Sequence, residues 1–102
     1  MKNILTITLL TTGLLAGSTA LASDDLAKAK NCLTCHSADR KIVGPSYKDI
    51  TAKRAAEKGA EAALAAKIKN GSKDEWGMVP MPPNNVTEAE AAALAKWVLA
   101  QK

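Results

Sequence analysis

The sequence predicts an all-α protein of four short helices whose centre is not filled by side chains alone. No segment alternates apolar and polar residues as a half-buried strand would, whereas several segments space apolar residues three and four apart. Prolines and glycines confine these segments to short lengths. The apolar residues themselves are small. From residue 23 onward, 17 of 36 hydrophobic positions are Ala, only 12 are Leu, Ile or Val, and the chain has no Phe. An 80-residue domain with so little apolar volume needs additional stabilisation.

Residues 1–22 predict a secretory signal peptide rather than part of the fold. Lys2 gives a positive start, residues 4–16 are apolar apart from Thr and Gly, and Ala20-Leu21-Ala22 is a small-x-small cleavage site. A membrane anchor is the alternative, but the apolar run is too short to span a bilayer comfortably. We expect cleavage after Ala22, a domain over residues 23–102 with a net charge of +3, and a periplasmic product without stable membrane insertion.

The first helix is expected to begin at Ser23, whose hydroxyl can cap it. Asp24 and Asp25 would then lie favourably at the positive end of the helix dipole. Leu26 and Ala29 are predicted to face inward, and the helix is predicted to continue into the cysteine segment.

Two further helices are predicted over residues 46–54 and Ala60–Asn70. In the latter, Leu64 and Ile68 are four apart and share one face. Gly71 is placed to end that helix.

The last helix follows a proline-containing loop over residues 71–86. Thr87 and Glu90 form a capping-box pattern that opens the helix, which we expect to run to about Gln101. Its apolar stripe consists of Ala91, Leu94, Ala95 and Val98. Trp97 is interpreted as packing between the first and last helices.

The cysteine segment carries the chemistry, because Cys32-Leu33-Thr34-Cys35-His36 is a C-x-x-C-H motif. On a helical turn, positions i, i+3 and i+4 share one face, so two thiols and an imidazole project together. Each sulfur can add to one vinyl group of a haem while His36 binds the iron. The motif therefore predicts one covalently attached haem c, whose large apolar surface would also supply the missing core volume.

Three other interpretations of the cysteines were weighed. Cys32 and Cys35 could form a short-loop disulfide. They could be a thioredoxin-like redox pair, although the βαβ context of such a pair is absent. They could bind zinc, although a structural zinc site needs four N or S ligands and the chain has two Cys and one His.

The sixth iron position distinguishes an electron carrier from a haem enzyme or gas-binding protein, because only an open position admits a ligand. Met81 lies in Val79-Pro80-Met81-Pro82-Pro83, where prolines stiffen the loop that would hold its thioether. Met78 has no such support. A core-filling role is the commoner one for Met, but we favour Met81 as the axial ligand, and a His/Met pair raises the haem potential.

Supporting roles follow for three residues. The second N–H of His36 needs an acceptor that fixes the ring, and the Pro45 carbonyl in the rigid Gly44-Pro45 turn is the leading candidate. The haem propionates need donors, which Trp76 and Lys67 could supply through an indole N–H and a cation.

Together these segments resemble the small bacterial class I cytochromes c of the c-551/c-552 type. The matching segments are Cys32–His36, 43–45, 68–72, 76–77, 79–84 and 95–98. The resemblance covers the whole chain after residue 22. It implies the four-helix class I fold, one haem c, His36 and Met81 as axial ligands, and a periplasmic single-electron carrier that is not an enzyme.

The same resemblance implies further residues and partners. It supports Pro45, Lys67 and Trp76 in the roles above, and it adds Asn84 as a residue that steadies the Met81 loop. Partners usual for the family are periplasmic reductases such as nitrite reductase, oxidases and quinol-oxidising complexes.

Several positions depart from the family pattern. Relatives often have an aromatic residue where this chain has Arg54, and sometimes one where it has Ala27. Asn31 stands where Gly is common. Asp74-Glu75 replaces a small apolar pair before Trp76. These departures bear on packing, stability and potential, and Glu75 would disfavour a second negative charge nearby.

The surface suggests weak docking to acidic redox partners. Lysines are spread from Lys28 to Lys73, and a lysine-rimmed haem edge would speed encounter by electrostatic steering. The chain has no nucleic-acid-binding motif, and we expect a monomer.

Overall fold

The structure, a computed structural model, describes residues 19–101, with side chains from residue 24 onward. It contains four α-helices in this range: α1 Thr19–Ala29, α2 Tyr47–Arg54, α3 Ala60–Asn70 and α4 Glu88–Leu99. A 3₁₀ turn, Cys32–Thr34, lies between α1 and α2. Across the described range, β-pairing is limited to two isolated bridges, His36 with Lys41 and Ser72 with Met81. The all-α prediction with four helices is confirmed, while residues 1–18 of the predicted signal peptide lie outside the described residues.

Helix α1 differs from its prediction at both ends. It begins at Thr19 rather than at Ser23, so Ser23 is not its N-cap and no acidic residue occupies its first turn. In the uncut chain, the helix-favouring residues Ala20, Leu21 and Ala22 extend it upstream. At the other end the helix does not continue into the cysteines, because Asn31 adopts a left-handed conformation (φ 62°) that interrupts it.

The inward face of α1 includes one residue that was not predicted. Leu26 packs against the core as expected and Ala29 is exposed on the lining of a cavity, but the completely buried residue is Ala27. Helix α1 packs against α4, in which Ala91 and Ala95 are also almost fully buried. Small side chains on both helices let their backbones approach closely, and this favours Ala27 at the contact.

The other three helices begin where the sequence predicts, and side chains cap two of them. The Ser46 hydroxyl accepts the Asp49 N–H at 3.1 Å at the start of α2. Helix α3 has the predicted bounds, and the Gly71 N–H closes it on the Lys67 carbonyl at 2.8 Å. The capping box of α4 is formed by Thr87 and Glu90, although α4 ends at Leu99, two residues before the predicted end.

Helix α4 is the centre of the fold, because α1, α2 and α3 all pack against it. Its predicted stripe is buried in full. The Thr51 hydroxyl adds a hydrogen bond to the Val98 carbonyl at 2.9 Å, which ties α2 to the end of α4. Trp97 contacts α2 through Tyr47, with ring centroids 5.0 Å apart in an edge-to-face arrangement, and its packing between α1 and α4 stays a prediction.

Candidate haem site

A cavity of about 800 Å³ opens between the cysteine turn, α3 and the loop over residues 71–86. This volume falls within the range of cofactor pockets. Its lining includes every site residue that the sequence predicts: Cys32, Cys35, His36, Pro45, Lys67, Trp76, Met81 and Asn84. Segments as far apart in the chain as Cys32 and Asn84 therefore converge on one cavity.

The C-x-x-C-H motif forms a single tight turn on the cavity wall. The Cys35 and His36 N–H groups both donate to the Cys32 carbonyl, at 3.3 and 3.0 Å. This turn places the two thiols and the imidazole on one side, as the spacing predicts, although the turn follows a break at Asn31 and is not the end of α1.

The imidazole of His36 is fixed from two sides. Its Nδ1 lies 2.7 Å from the Pro45 carbonyl oxygen, the contact that the Gly44-Pro45 turn suggests. Because a carbonyl can only accept, Nδ1 carries the proton and Nε2 is left with its lone pair free for a metal. Gly44 packs against the ring so closely that a Cβ at this position would lie 2.5 Å from His36 Cε1.

Tyr47 supports the same imidazole from another direction. Its ring stacks on His36 with centroids 5.4 Å apart, and it is itself held by Trp97. Tyr47 is 3% exposed. The pKa of its hydroxyl is raised, mainly because the group is buried and secondly because Cys32 lies nearby, so the side chain stays neutral.

Met81 lies on the loop that follows α3 and is held there by its backbone. Its N–H and carbonyl both pair with Ser72, each at 2.9 Å. Gly71 (φ 88°) makes this approach possible, since a Cβ there would lie 2.8 Å from the Met81 carbonyl oxygen. The side chain is partly buried and packs against the core, whereas Met78 is 95% exposed.

Asn84 fastens the far end of the same loop to α3. Its Nδ2 donates to the Ile68 carbonyl at 2.8 Å and to the Pro82 carbonyl at 3.4 Å, and its backbone N–H also reaches the Ile68 carbonyl, at 3.2 Å. The Met81 loop is thus closed at both ends, by Ser72 and by Asn84.

The two predicted propionate donors have different surroundings. Lys67 Nζ lies 2.7 Å from Glu75 Oε2, so this cation already has an anionic partner. Trp76 is partly buried, and Lys53 Nζ lies 4.4 Å above its ring. Both residues line the cavity, and their roles toward a haem stay predictions.

The structure bears on the other interpretations of the cysteines. Cys32 and Cys35 are not joined by a disulfide, and burial raises the pKa of the Cys32 thiol although a backbone hydrogen bond lowers it. A redox-active cysteine needs the opposite shift. Among residues 19–101, no group of three or more His, Cys, Asp and Glu side chains could hold a metal ion, so a zinc site of that kind is not formed.

Sequence reasoning missed several residues that shape the site. Tyr47 was assigned no role, and Ser72 was noted only within a family segment. Gly44 and Gly71 were interpreted as a turn and a helix stop, but each also lies against a predicted iron ligand. The short segments 43–45 and 70–72, in which Gly is followed by Pro or Ser, are the only local signal of these contacts.

The donor set fits a haem. Two thiols and an imidazole lie on one turn of the cavity wall, a thioether is held by a stiff loop of the same cavity, and cations lie along its lining. A four-helix fold built around such a cavity defines a small class I c-type cytochrome.

Comparison with known proteins supports this class directly. The family model described as Cytochrome c matches residues 22–102. Cytochrome c-551 of Pseudomonas aeruginosa is 54% identical over 104 residues that span all of both chains. Cytochrome c-552 of Nitrosomonas europaea is 48% identical over 103 residues, again across all of both chains. The crystal structure of wild-type Nitrosomonas europaea cytochrome c552 matches with a TM-score of 0.75 and 54% identity, covering 78% of this chain and 99% of that one.

The chain therefore belongs to the cytochrome c family, and its fold is that of the small class I cytochromes c. Its cofactor is covalently bound haem c, with iron. The chain is a monohaem electron carrier that works with redox partners.

Proposed function

We propose that this cytochrome is a periplasmic carrier of single electrons whose haem is attached at Cys32 and Cys35, with His36 and Met81 as the axial ligands of the iron. The observation that carries the proposal is the convergence of His36 and Met81, each fixed by backbone contacts, on one cavity. Bound haem supplies an iron that alternates between the ferric and ferrous states.

The chain's own residues keep the ligand set constant during this cycle. Pro45 holds the His36 proton on Nδ1, which orients Nε2 and raises its basicity. Ser72 and Asn84 hold the Met81 loop at both ends. A ligand that stays bound in both oxidation states requires little rearrangement when an electron arrives, and it leaves no open position for substrate.

The rim of the cavity offers a surface for transient docking. Val43, Met78 and Val79 line the cavity and are at least half exposed, and Lys41 and Lys73 also line it. The exposed apolar side chains would exclude water at the haem edge while the lysines attract an acidic partner. This arrangement supports small, short-lived interfaces with periplasmic reductases such as nitrite reductase, with oxidases, or with quinol-oxidising complexes.

Export is the remaining part of the proposal. Residues 1–22 have the three parts of a signal peptide, and cleavage after Ala22 would leave a domain over residues 23–102. No helix among the described residues is long and apolar enough to cross a bilayer.

Mass spectrometry of the protein from the periplasmic fraction tests export and attachment together. We expect the mass of residues 23–102 plus one haem, retained after denaturation. A mass equal to the bare chain would contradict covalent attachment, and retention of residues 1–22 would contradict cleavage.

Absorption spectroscopy tests the ligation. The ferric protein should show the weak far-red charge-transfer band of a Met-ligated haem, and Met81→Ala should abolish it. Met78→Ala is the matched control and should leave the band intact, because that side chain is 95% exposed. Persistence of the band in Met81→Ala, or rapid CO binding by the reduced wild-type protein, would favour an enzyme or gas-binding protein instead.

A further inference from the structure

A charge cluster of Lys53, Arg54, Lys67 and Glu75, here called the Glu75 cluster, joins α2, α3 and the loop over residues 71–86. Glu75 is at its centre. Its carboxylate lies 2.7 Å from Lys67 Nζ and 3.7 Å from Lys53 Nζ, and it pairs directly with the Arg54 guanidinium. One carboxylate thus engages three cations from two different helices.

The cluster is largely removed from solvent. The Arg54 side chain is 9% exposed and that of Glu75 is 15% exposed. Burial by itself raises the pKa of Glu75, but the hydrogen bond from Lys67 and the charges of Arg54, Lys67 and Lys53 outweigh it, so the pKa is lowered. Glu75 is therefore a fixed negative charge at neutral pH.

This negative charge lies on the lining of the haem cavity. Arg54, Lys67, Glu75 and Trp76 all line it, and Trp76 follows Glu75 directly in the chain. Lys53 connects the two, since its Nζ contacts both the Glu75 carboxylate and the Trp76 ring. Glu75 thus pairs with Lys67 and directly precedes Trp76 in the chain. These two residues are the predicted partners of the haem carboxylates.

Two electrostatic consequences follow, and both have the same sign. Reduction adds an electron to the haem, so a nearby anion in a poorly screened site disfavours the ferrous form. A cation that is already paired with Glu75 compensates the haem carboxylates less than a free cation would. Each effect lowers the reduction potential.

We propose that Glu75 is a positioning residue that lowers the reduction potential of this haem, by adding a fixed negative charge to the lining of its cavity and by pairing with Lys67, the cation predicted to compensate the haem carboxylates. This inference rests on the proposed function, in which the haem occupies this cavity and exchanges single electrons.

The test is equilibrium redox titration of the holoprotein against a reference couple, comparing the wild type with Glu75→Gln. The amide keeps the size of the side chain and removes its charge. We expect the ferric–ferrous equilibrium to shift toward ferrous by at least about threefold, which corresponds to about 28 mV for a one-electron couple.

Two controls separate charge from packing. Glu75→Asp keeps the charge and should stay within about twofold of the wild type. Glu88→Gln removes an 85% exposed carboxylate that pairs with Lys69 at 2.5 Å, and it should shift the equilibrium less than Glu75→Gln does. An unchanged potential in Glu75→Gln, or equal shifts in Glu75→Gln and Glu75→Asp, would overturn the proposal.

A second variant keeps the inference testable if Glu75→Gln does not yield holoprotein. Glu75→Ala also removes the charge, so the potential of this variant should rise above that of the wild type, and an unchanged or lower potential would contradict the role of Glu75. The haem mass and the far-red band, recorded on the same samples, report attachment and Met81 ligation separately. Failure of the proposed function is therefore distinguishable from failure of this inference.

Discussion

His36 Nδ1 lies 2.7 Å from the Pro45 carbonyl oxygen, and this contact determines which nitrogen of the only histidine is available to iron. The residue before Pro45 makes the contact possible. Gly44 lies against the imidazole face, and any side chain there would occupy the space of the ring.

Gly44→Ala should therefore disturb the haem ligand directly. A Cβ at position 44 would lie 2.5 Å from His36 Cε1, so the ring or the backbone must move. We expect a loss of about 1–3 kcal/mol in the free energy of unfolding, with altered electron paramagnetic resonance of the ferric haem as the ring reorients.

Gly59→Ala is the matched control for this substitution. Gly59 has φ 76° but nothing lies within 4 Å of a Cβ built there. The cost should be about 1–2 kcal/mol from the left-handed backbone alone, with an unchanged haem spectrum. A wild-type spectrum in Gly44→Ala would show that the Gly44 contact does not orient His36.

The local parts of this fold could be predicted from the sequence, and the parts that depend on distant partners could not. Helix α3 and the capping box of α4 follow from patterns within a few residues, so both were predicted correctly. The start of α1 was wrong because Ser23 is a good cap only if the chain begins there, whereas the uncut chain continues the helix to Thr19.

The same distinction applies to the site. The cysteine motif and the proline-rich Met81 loop are contiguous, so the sequence alone predicts their residues, and the structure brings both segments to one cavity. The pairing of Lys67 with Glu75 was not, because it depends on how α3 and the following loop fold together. Arg54 was recognised as unusual, but its buried partner could be identified only in three dimensions.

Asn84→Ala should loosen the Met81 loop without unfolding the protein. The substitution removes the hydrogen bonds from Nδ2 to the Ile68 and Pro82 carbonyls, but the backbone bond to Ile68 remains. We expect a loss of about 1 kcal/mol. As the pH is raised, the far-red band should disappear at a lower pH than in the wild type, because a looser loop releases Met81 more easily. Asn85→Ala, at an exposed neighbour, should titrate like the wild type. Identical titrations of both variants would rule out a steadying role for Asn84.

The Arg54–Glu75 pair should show strong coupling in a double-mutant cycle. Arg54→Leu removes the cation but leaves Glu75 with Lys53 and Lys67. Removing one partner of a buried ion pair costs about 3–5 kcal/mol, and the two lysines should reduce this to about 2 kcal/mol. The variant with both Arg54→Leu and Glu75→Leu should recover part of that loss, because no buried charge is left unpaired at these two positions, although Glu57 and Lys67 lose their partners. Urea unfolding of the four holoproteins measures the cycle, and additive effects would mean that the pair contributes no net coupling.

Glu75 should also make stability depend on pH in the acid range. Its pKa in the folded protein is lowered, because Lys67, Arg54 and Lys53 outweigh the effect of burial. The unfolded chain therefore binds a proton at higher pH than the folded protein does. The stabilisation is fully present above the ordinary Glu pKa of about 4.3 and is lost as the pH falls through the lowered folded value. Urea unfolding at neutral and acid pH should show the difference in unfolding free energy between the wild type and Glu75→Gln shrinking on acidification. A constant difference would contradict the lowered pKa.

Loss of the haem should abolish cooperative folding, because the cavity takes the place of a core. Among the described residues ten apolar residues are buried, three of them Ala, and Leu94 is the largest fully buried side chain. A cavity of about 800 Å³ adjoins them, lined by Leu64, Ile68, Leu94 and Val98 among others. Without haem a cavity of this size beside the core would be filled by water, and a domain of about 80 residues has little other burial to offset its conformational entropy. We expect the double variant Cys32→Ala/Cys35→Ala to have reduced helical circular dichroism and no cooperative thermal transition.

Thr34→Ala leaves both thiols in place and should behave as the wild type. Native-like helicity with a sharp thermal transition in the double variant, shown by mass spectrometry to lack haem, would mean that the side chains alone specify the fold.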